Sequence, residues 1–229
     1  MKEITKDVFV IENEVLQANV YVLLGQKGYY LIDTGIFMKT KYLIEILEKN
    51  NLPLSDLKMI ILTHCHCDHI GGAAELVKLS GAKLAAHKND LQFILQQNVI
   101  EGNYRKMMLE EQKYMRQLNC VIKQIDCILK DDDVIEIIGG LQVINVPGHT
   151  PGSIALYQAD KKIMFFGDVI RNNKDKGLVI GIPEKFNVNT AQVNIDAKKL
   201  LSYPIEYALF GHGSAIIKNA NHILNKSLG

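Results

Sequence analysis

Residues 58–69 read Lys58-Met59-Ile60-Ile61-Leu62-Thr63-His64-Cys65-His66-Cys67-Asp68-His69. The first five residues are an apolar run that predicts a strand at 58–62, buried on both faces. Four imidazole or carboxylate side chains, those of His64, His66, Asp68 and His69, then fall within six residues. His64 and His66 are two apart, so an extended chain points both to one side and turns Cys65 and Cys67 away. Asp68 and His69 lie beyond the bend, placed for a second ion. Packing alone gives no reason to concentrate such groups at a strand end. Imidazole and carboxylate together suit zinc, and less selectively iron or manganese.

Working outward from this stretch, strands are predicted at 7–15, 19–24 and 29–32, an antiparallel meander with a turn at Gly25-Gln26-Lys27-Gly28. Asp33-Thr34-Gly35 ends the third strand. Apolar positions 42, 43, 46 and 47 predict a helix over 39–50. Downstream, Gly71-Gly72-Ala73-Ala74 leads into a helix to about Leu79, and a strand at 82–86 ends at His87. Residues 88–118 are polar, Met-bearing and predicted mostly helical, an insertion within one domain spanning 1–229. Strands follow at 126–129, 134–138, 141–146, 153–158 and 162–166, then a loop at 169–187, a helix at 190–202 and a strand ending at Phe210. Each half runs strands first, then helix and strand. That order predicts two sheets packed face to face with helices outside.

Three more polar side chains sit beside glycine at predicted strand ends: His149 in Val146-Pro147-Gly148-His149-Thr150-Pro151-Gly152, Asp168 in Phe165-Phe166-Gly167-Asp168, and His212 in Phe210-Gly211-His212-Gly213. Glycine allows tight turns and close backbone approach there. His87 and His222 lie outside these motifs and read as ordinary residues.

Composition narrows the function classes. Of 229 residues, 48% are hydrophobic, enough for a sizeable core. Lys plus Arg number 26 against 25 Asp plus Glu. That balance gives no electrostatic reason to expect nucleic acid. The polar N-terminus has no secretory h-region, no apolar run approaches a membrane span, and Cys65, Cys67, Cys120 and Cys127 form no C-x-x-C pair. The expectation is a cytoplasmic protein with reduced thiols and a small-molecule substrate, its oligomeric state left open.

From Leu31-Ile32-Asp33-Thr34-Gly35 to Gly211-His212-Gly213, the ordered motifs resemble those of the metallo-β-lactamase-fold hydrolase superfamily. The resemblance implies an α/β (α+β) fold, a four-layer αββα sandwich with metals at one edge. It implies that His64, His66 and His149 hold one ion, that Asp68, His69 and His212 hold a second, and that Asp168 bridges them. Asp33 matches a position that supports the site without binding metal. Two divalent ions about 3.5–4 Å apart would supply an activated hydroxide as nucleophile. Asp68 and Asp168 are then the catalytic carboxylates, with Asp68 a candidate acid for the leaving group wherever metal leaves it free.

Within that superfamily, Asp168 stands where some lactamase branches carry cysteine or lack the aspartate, which argues against antibiotic hydrolysis. His66 argues against the flavin-linked diiron branch, and length and charge argue against the RNA-processing branches. The compact glyoxalase-II-like thioesterases and the lactonases remain, with a mononuclear iron persulfide-dioxygenase-like oxidoreductase as the alternative, its iron held by His64, His149 and Asp168. Only 17 residues follow His212, so residues of the helical C-terminal domain of glyoxalase II do not carry over. The reading is a dinuclear hydrolase, most readily zinc-dependent, of a small thioester or ester-like substrate. Two peripheral features bear on specificity. Arg171, three residues after Asp168, is a candidate for holding an anionic group on the substrate. Tyr104, Met107, Met108, Met115 and Leu118 are spaced for one helix face, as core packing or as an apolar wall over the site.

Overall fold

The computed structural model describes residues 1–12, 15–181 and 183–228. Its first sheet runs in the order β1 (Lys2–Thr5), β2 (Val8–Ile11), β3 (Val20–Gly25), β4 (Gly28–Ile32), β5 (Leu57–Ile61), β6 (Lys83–His87) and β7 (Cys127–Leu129). The meander β1 to β4 is antiparallel, while β4 through β7 pair in parallel. The second sheet is built from β8 (Val134–Ile135), β9 (Leu141–Asn145), β10 (Ile154–Gln158), β11 (Ile163–Phe165), β14 (Tyr207–Leu209) and β15 (Ile216–Ile217). Between β11 and β14 lies a separate hairpin, β12 (Ile170–Asn173) with β13 (Gly177–Ile180).

Period-two alternation divides each strand between two cores. Tyr21 and Leu23 of β3, Ile61 of β5, Ile154 and Leu156 of β10 and Phe165 of β11 meet in the core between the sheets. Val20, Val22 and Ile60 face the opposite way, onto α1 (Thr40–Lys49), α3 (Ala73–Ser80) and α5 (Arg105–Gln117). Ala155 and Tyr157 face α6 (Thr190–Leu201) and α7 (Ala220–Leu228). Ile60 and Ile61 thus enter different cores, as a strand buried on both faces requires. The layers are helices, sheet, sheet, helices: the expected αββα sandwich. Two short helices complete the chain, α2 (Cys67–Ile70) and α4 (Leu91–Ile94).

The structure corrects several boundaries. Lys2–Thr5 pairs as an edge strand although its composition is polar; only Ile4 is buried. The predicted strand 7–15 is limited to Val8–Ile11, and its residues 13 and 14 lie outside the described ones. The predicted strand 134–138 stops at Ile135, because Ile138, Gly139 and Gly140 take positive φ and turn the chain. The predicted loop 169–187 contains the β12–β13 hairpin. Its polar arms carry no apolar run, and an isolated bridge from Asn172 to Gly213 ties it to the segment after β14. Two terminal elements, β15 and α7, had no prediction.

Candidate metal centre

Strand direction brings the polar strand ends together. Because β4 and β5 are parallel, Asp33 and Thr63 leave the first sheet side by side, with the Asp33 amide donating to Ile61 O at 2.9 Å. Because β11 and β14 are parallel, Asp168 and His212 leave the second sheet at one end. His149 lies in the turn between β9 and β10. His66 is the N-cap of α2, whose single turn carries Asp68 and His69. All seven predicted ligands converge, in the groups His64/His66/His149, His64/His69/Asp168 and Asp68/His69/His212, with ligand atoms in each group within 4.8 Å of one another.

Asp168 sits between these groups. Its Oδ2 lies 3.2 Å from His212 Nε2, 3.5 Å from His149 Nε2 and 3.9 Å from His64 Nε2, and its Oδ1 lies 3.5 Å from His69 Nε2. Asp68 Oδ2 is 3.3 Å from His212 Nε2 and 3.8 Å from His69 Nε2. Such closeness needs Gly211: a Cβ there would stand 2.1 Å from Asp168 Oδ1.

The imidazoles are oriented from behind. Asp33 Oδ2 accepts from His69 Nδ1 at 2.7 Å, while the Thr63 amide and hydroxyl donate to the same carboxylate at 2.8 and 2.7 Å. With its own proton committed to Asp33, the Thr63 hydroxyl oxygen accepts from His64 Nδ1 at 3.0 Å. Asn187 Oδ1 accepts from His149 Nδ1 at 2.8 Å. Each of these bonds commits a ring proton to Nδ1 and turns Nε2 toward the centre. Asp33 thus contacts His69 from behind and stands outside the three ligand groups. In the buried interior, His64 Nε2, His66 Nε2, His149 Nε2 and Asp168 Oδ1 have no hydrogen-bond partner. Buried polar atoms without partners are costly, and the ligand atoms of His64, His66 and His149, within 4.8 Å of one another, fit a cation.

Electrostatics separates the histidines. Burial, reinforced by neighbouring imidazoles, lowers His64 and His66 well below the ordinary value and lowers His149 to about 4. His69 and His212 are also pushed down by burial, but nearby carboxylates, Asp168 foremost, outweigh it and raise both. Burial would raise Asp168; Arg171, His212 and His69 outweigh it and hold its carboxyl well below the usual range. Cys65 packs into the helix-side core and Cys67 beside Glu111, and burial pushes both thiols up, so neither offers a thiolate.

The chain belongs to the metallo-beta-lactamase superfamily. A sequence model of that superfamily matches residues 13–212. The hydroxyacylglutathione hydrolase GloC of Haemophilus influenzae is 28% identical over 146 residues, 63% of this chain and 62% of that protein. The chain spans less than two thirds of the length of several hydroxyacylglutathione hydrolases it matches. Among solved structures, a metallo-beta-lactamase family protein of Thermus thermophilus superposes with a TM-score of 0.74 at 20% identity, covering 98% of this chain and 80% of that one. TTHA1623, solved in a di-iron-bound form, superposes at 0.67 with 24% identity, covering 96% and 98%. The superfamily is one of metal-binding hydrolases, and the His/Asp cluster stands where the motifs of this member converge. Among the described residues no helix is long and apolar enough to cross a membrane.

Two residues absent from the sequence reading hold the centre together. Asp90, fully buried, accepts from the Cys65 amide at 2.9 Å, the Thr150 hydroxyl at 2.6 Å and the Gly152 amide at 2.6 Å, tying the His64–His66 loop to the His149 loop. Its signal was a polar residue just past a strand end, the same one that marked His149. Asn187 carried no signal. Arg171 does not stand free at the mouth: its guanidinium donates to Asp168 Oδ2 and is only 15% exposed. The predicted apolar face divides. Met108 and Met115 are buried in the helix-side core, Tyr104 and Met107 line a cavity over His66, and Leu118, past the end of α5, is 53% exposed.

Proposed function

We propose that this protein is a dinuclear metal-dependent hydrolase of small thioester or ester-like substrates. The observation that supports it most is Asp168: one buried carboxylate between two sets of imidazoles, several of them with unpartnered Nε2 atoms. His64, His66 and His149 would hold one ion, and Asp68, His69 and His212 the other, with Asp168 shared. The all N/O donor set suits zinc and admits iron or manganese. When bound, such ions supply activated water near neutral pH and polarise the scissile carbonyl.

The chain's own residues do the rest. Asp33, Thr63 and Asn187 fix the rings of His69, His64 and His149, so the donors are set before a substrate arrives. Asp68, a quarter exposed, is the carboxylate at the open side; burial would raise it, but His69 and His212 outweigh burial and hold it ionised, as a ligand to the second ion requires. Arg171 lines both the cavity over His66 and a neighbouring groove of about 770 Å³ that also carries Lys174, Lys176, Asn172 and Ser214. Three cations against one carboxylate, Glu12, favour an anionic leaving-group half, with Arg171 its nearest contact to the centre.

The test couples metal analysis of the purified protein to a panel of thioester, lactone and phosphodiester substrates. Turnover of thioesters or lactones by a sample holding two ions supports the proposal. Oxygen uptake with a persulfide in an iron-loaded sample, without ester turnover, would replace it with the mononuclear oxidoreductase.

A further inference from the structure

We propose that Tyr104, braced by Glu111 and facing Phe186, limits the acyl group of the substrate to a short chain; this rests on the hydrolase reading of the site. Tyr104 is the N-cap of α5 and only 4% exposed. Its ring centroid lies 4.2 Å from that of His66 and 5.9 Å from that of Phe186, which meets it nearly edge-on at 80°. The phenol hydroxyl donates to Glu111 Oε2. Residues 104 and 111 are two helical turns apart, so both point to one side. The phenol is thus fixed at its hydroxyl by Glu111 and packed against two other rings. A wall side chain held this way cannot swing aside at low cost.

The space behind this wall is small. With Met107, Phe186, Gln17 and Arg171, Tyr104 bounds a cavity of about 170 Å³ that opens onto His66 and Asp68. Ordinary small-molecule pockets measure roughly 300–1,000 Å³. The adjoining cationic groove, on the far side of Arg171, is about 770 Å³. The two compartments differ in size and share Arg171: the small one sets the rings of Tyr104 and Phe186 and the Met107 side chain beside His66 and Asp68, and the larger one carries Lys174 and Lys176. A thioester placed with its carbonyl at the centre then has one orientation: anionic thiol half in the groove, acyl half against Tyr104 and Phe186. Both rings come from segments outside the ligand motifs, Tyr104 from the helical stretch 88–118 and Phe186 from the turn Glu184–Phe186. Chain length is therefore set by residues that need not touch the metals.

Two readouts test this on the metal-loaded protein. The first is kcat/KM for straight-chain thioesters of one thiol, from acetyl to octanoyl. The second, independent of turnover, is calorimetric binding of the matching carboxylates, from acetate to octanoate. Each added methylene in an apolar site is expected to improve binding about fourfold. In the wild type that gain should stop near four carbons, and kcat/KM should fall at least about tenfold by octanoyl. Tyr104→Ala and Phe186→Ala should each let the gain continue to longer chains, at unchanged metal content. Tyr104→Phe, which keeps the ring and frees its hydroxyl, should fall between. Identical chain-length profiles in wild type and all three variants would overturn the inference. If no thioester turns over while the carboxylates still show the break and its release, the hydrolase reading fails and the wall stands.

Discussion

On one side of Asp168 stand His64, His66 and His149, buried and with unpartnered Nε2 atoms; on the other stand Asp68, His69 and His212, in contact with one another, with Asp68 and His212 partly exposed and His69 fully buried. Metal-free, the first set holds no protons for a metal to displace. In the second set the neighbouring carboxylates keep His69 and His212 inclined to hold protons, with the two Nε2 atoms 3.3 Å apart. Arg171 donates to Asp168 Oδ2, the oxygen that also lies near His149, His64 and His212, and so bears on both sides. An ion entering the first set meets donors ready to bind. An ion entering the second must displace protons. The difference teaches that two ligand sets within one cluster can have similar residue types and unequal demands, because the surrounding carboxylates set the protonation of each ring.

Asp168→Ala probes what the two sides share, and carries the largest expected effect. It should lower turnover by more than about 100-fold and loosen both ions. Asp168→Asn should also impair, because a neutral amide oxygen is the weaker donor. Metal content and turnover near wild type would reduce Asp168 to a turn residue. Next in size, His66→Ala and His69→Ala should each lower metal content, and differently. His66→Ala should weaken the tighter ion, whereas His69→Ala should remove the weaker and leave the tighter. Equal behaviour of the two variants in metal titrations would erase the distinction between the sets.

A smaller effect is expected from pH. In the metal-free protein, His149 is lowered to about 4 and His64 and His66 well below 6.5. Their protons are bound more readily by the unfolded chain, so stability should fall as pH drops from 6.5 toward 4, by at most about 1.4 kcal/mol per pH unit for each. His69 and His212 act in the opposite sense. Their raised values contribute stability that is complete below 6.5 and lost as pH rises through their folded values. Urea unfolding from pH 8 to 4.5 should therefore show a maximum near 6.5; stability that climbs steadily toward acid would contradict the assignment. Smallest of all, Arg171→Ala should raise KM for a carboxylate-bearing substrate about threefold to tenfold and leave a neutral analogue nearly unchanged, as lost uniform binding does. Equal changes with both substrates would take Arg171 out of substrate binding.

Much of this centre was legible in the sequence because its ligands follow apolar strands and neighbour glycine. The two-residue spacing of His64 and His66 set both toward the cluster although the chain there bends rather than continuing the strand, and the strand order implied the two-sheet stack. What was not legible depends on contacts between distant segments. Asn187 orients His149 across 38 residues and Asp90 joins loops 25 and 60 residues away. The β12–β13 hairpin hid behind polar, turn-rich composition, since its pairing is fixed partly by Gly213. Tyr104 was visible as a helix-face residue, but its contact with the His66 ring depends on how residues 88–118 fold back over the site.

The central claim, two ions at two unequal sets, is met most directly by calorimetric titration of the metal-free protein with zinc in buffers of differing ionisation enthalpy, with short-chain thioester turnover followed in parallel. The expected result is about two ions per chain. The first should bind with heat nearly independent of the buffer and the second with a buffer-dependent heat from released protons, and turnover should rise until the second equivalent is taken up. Saturation at one ion, with full turnover at that point, would contradict it.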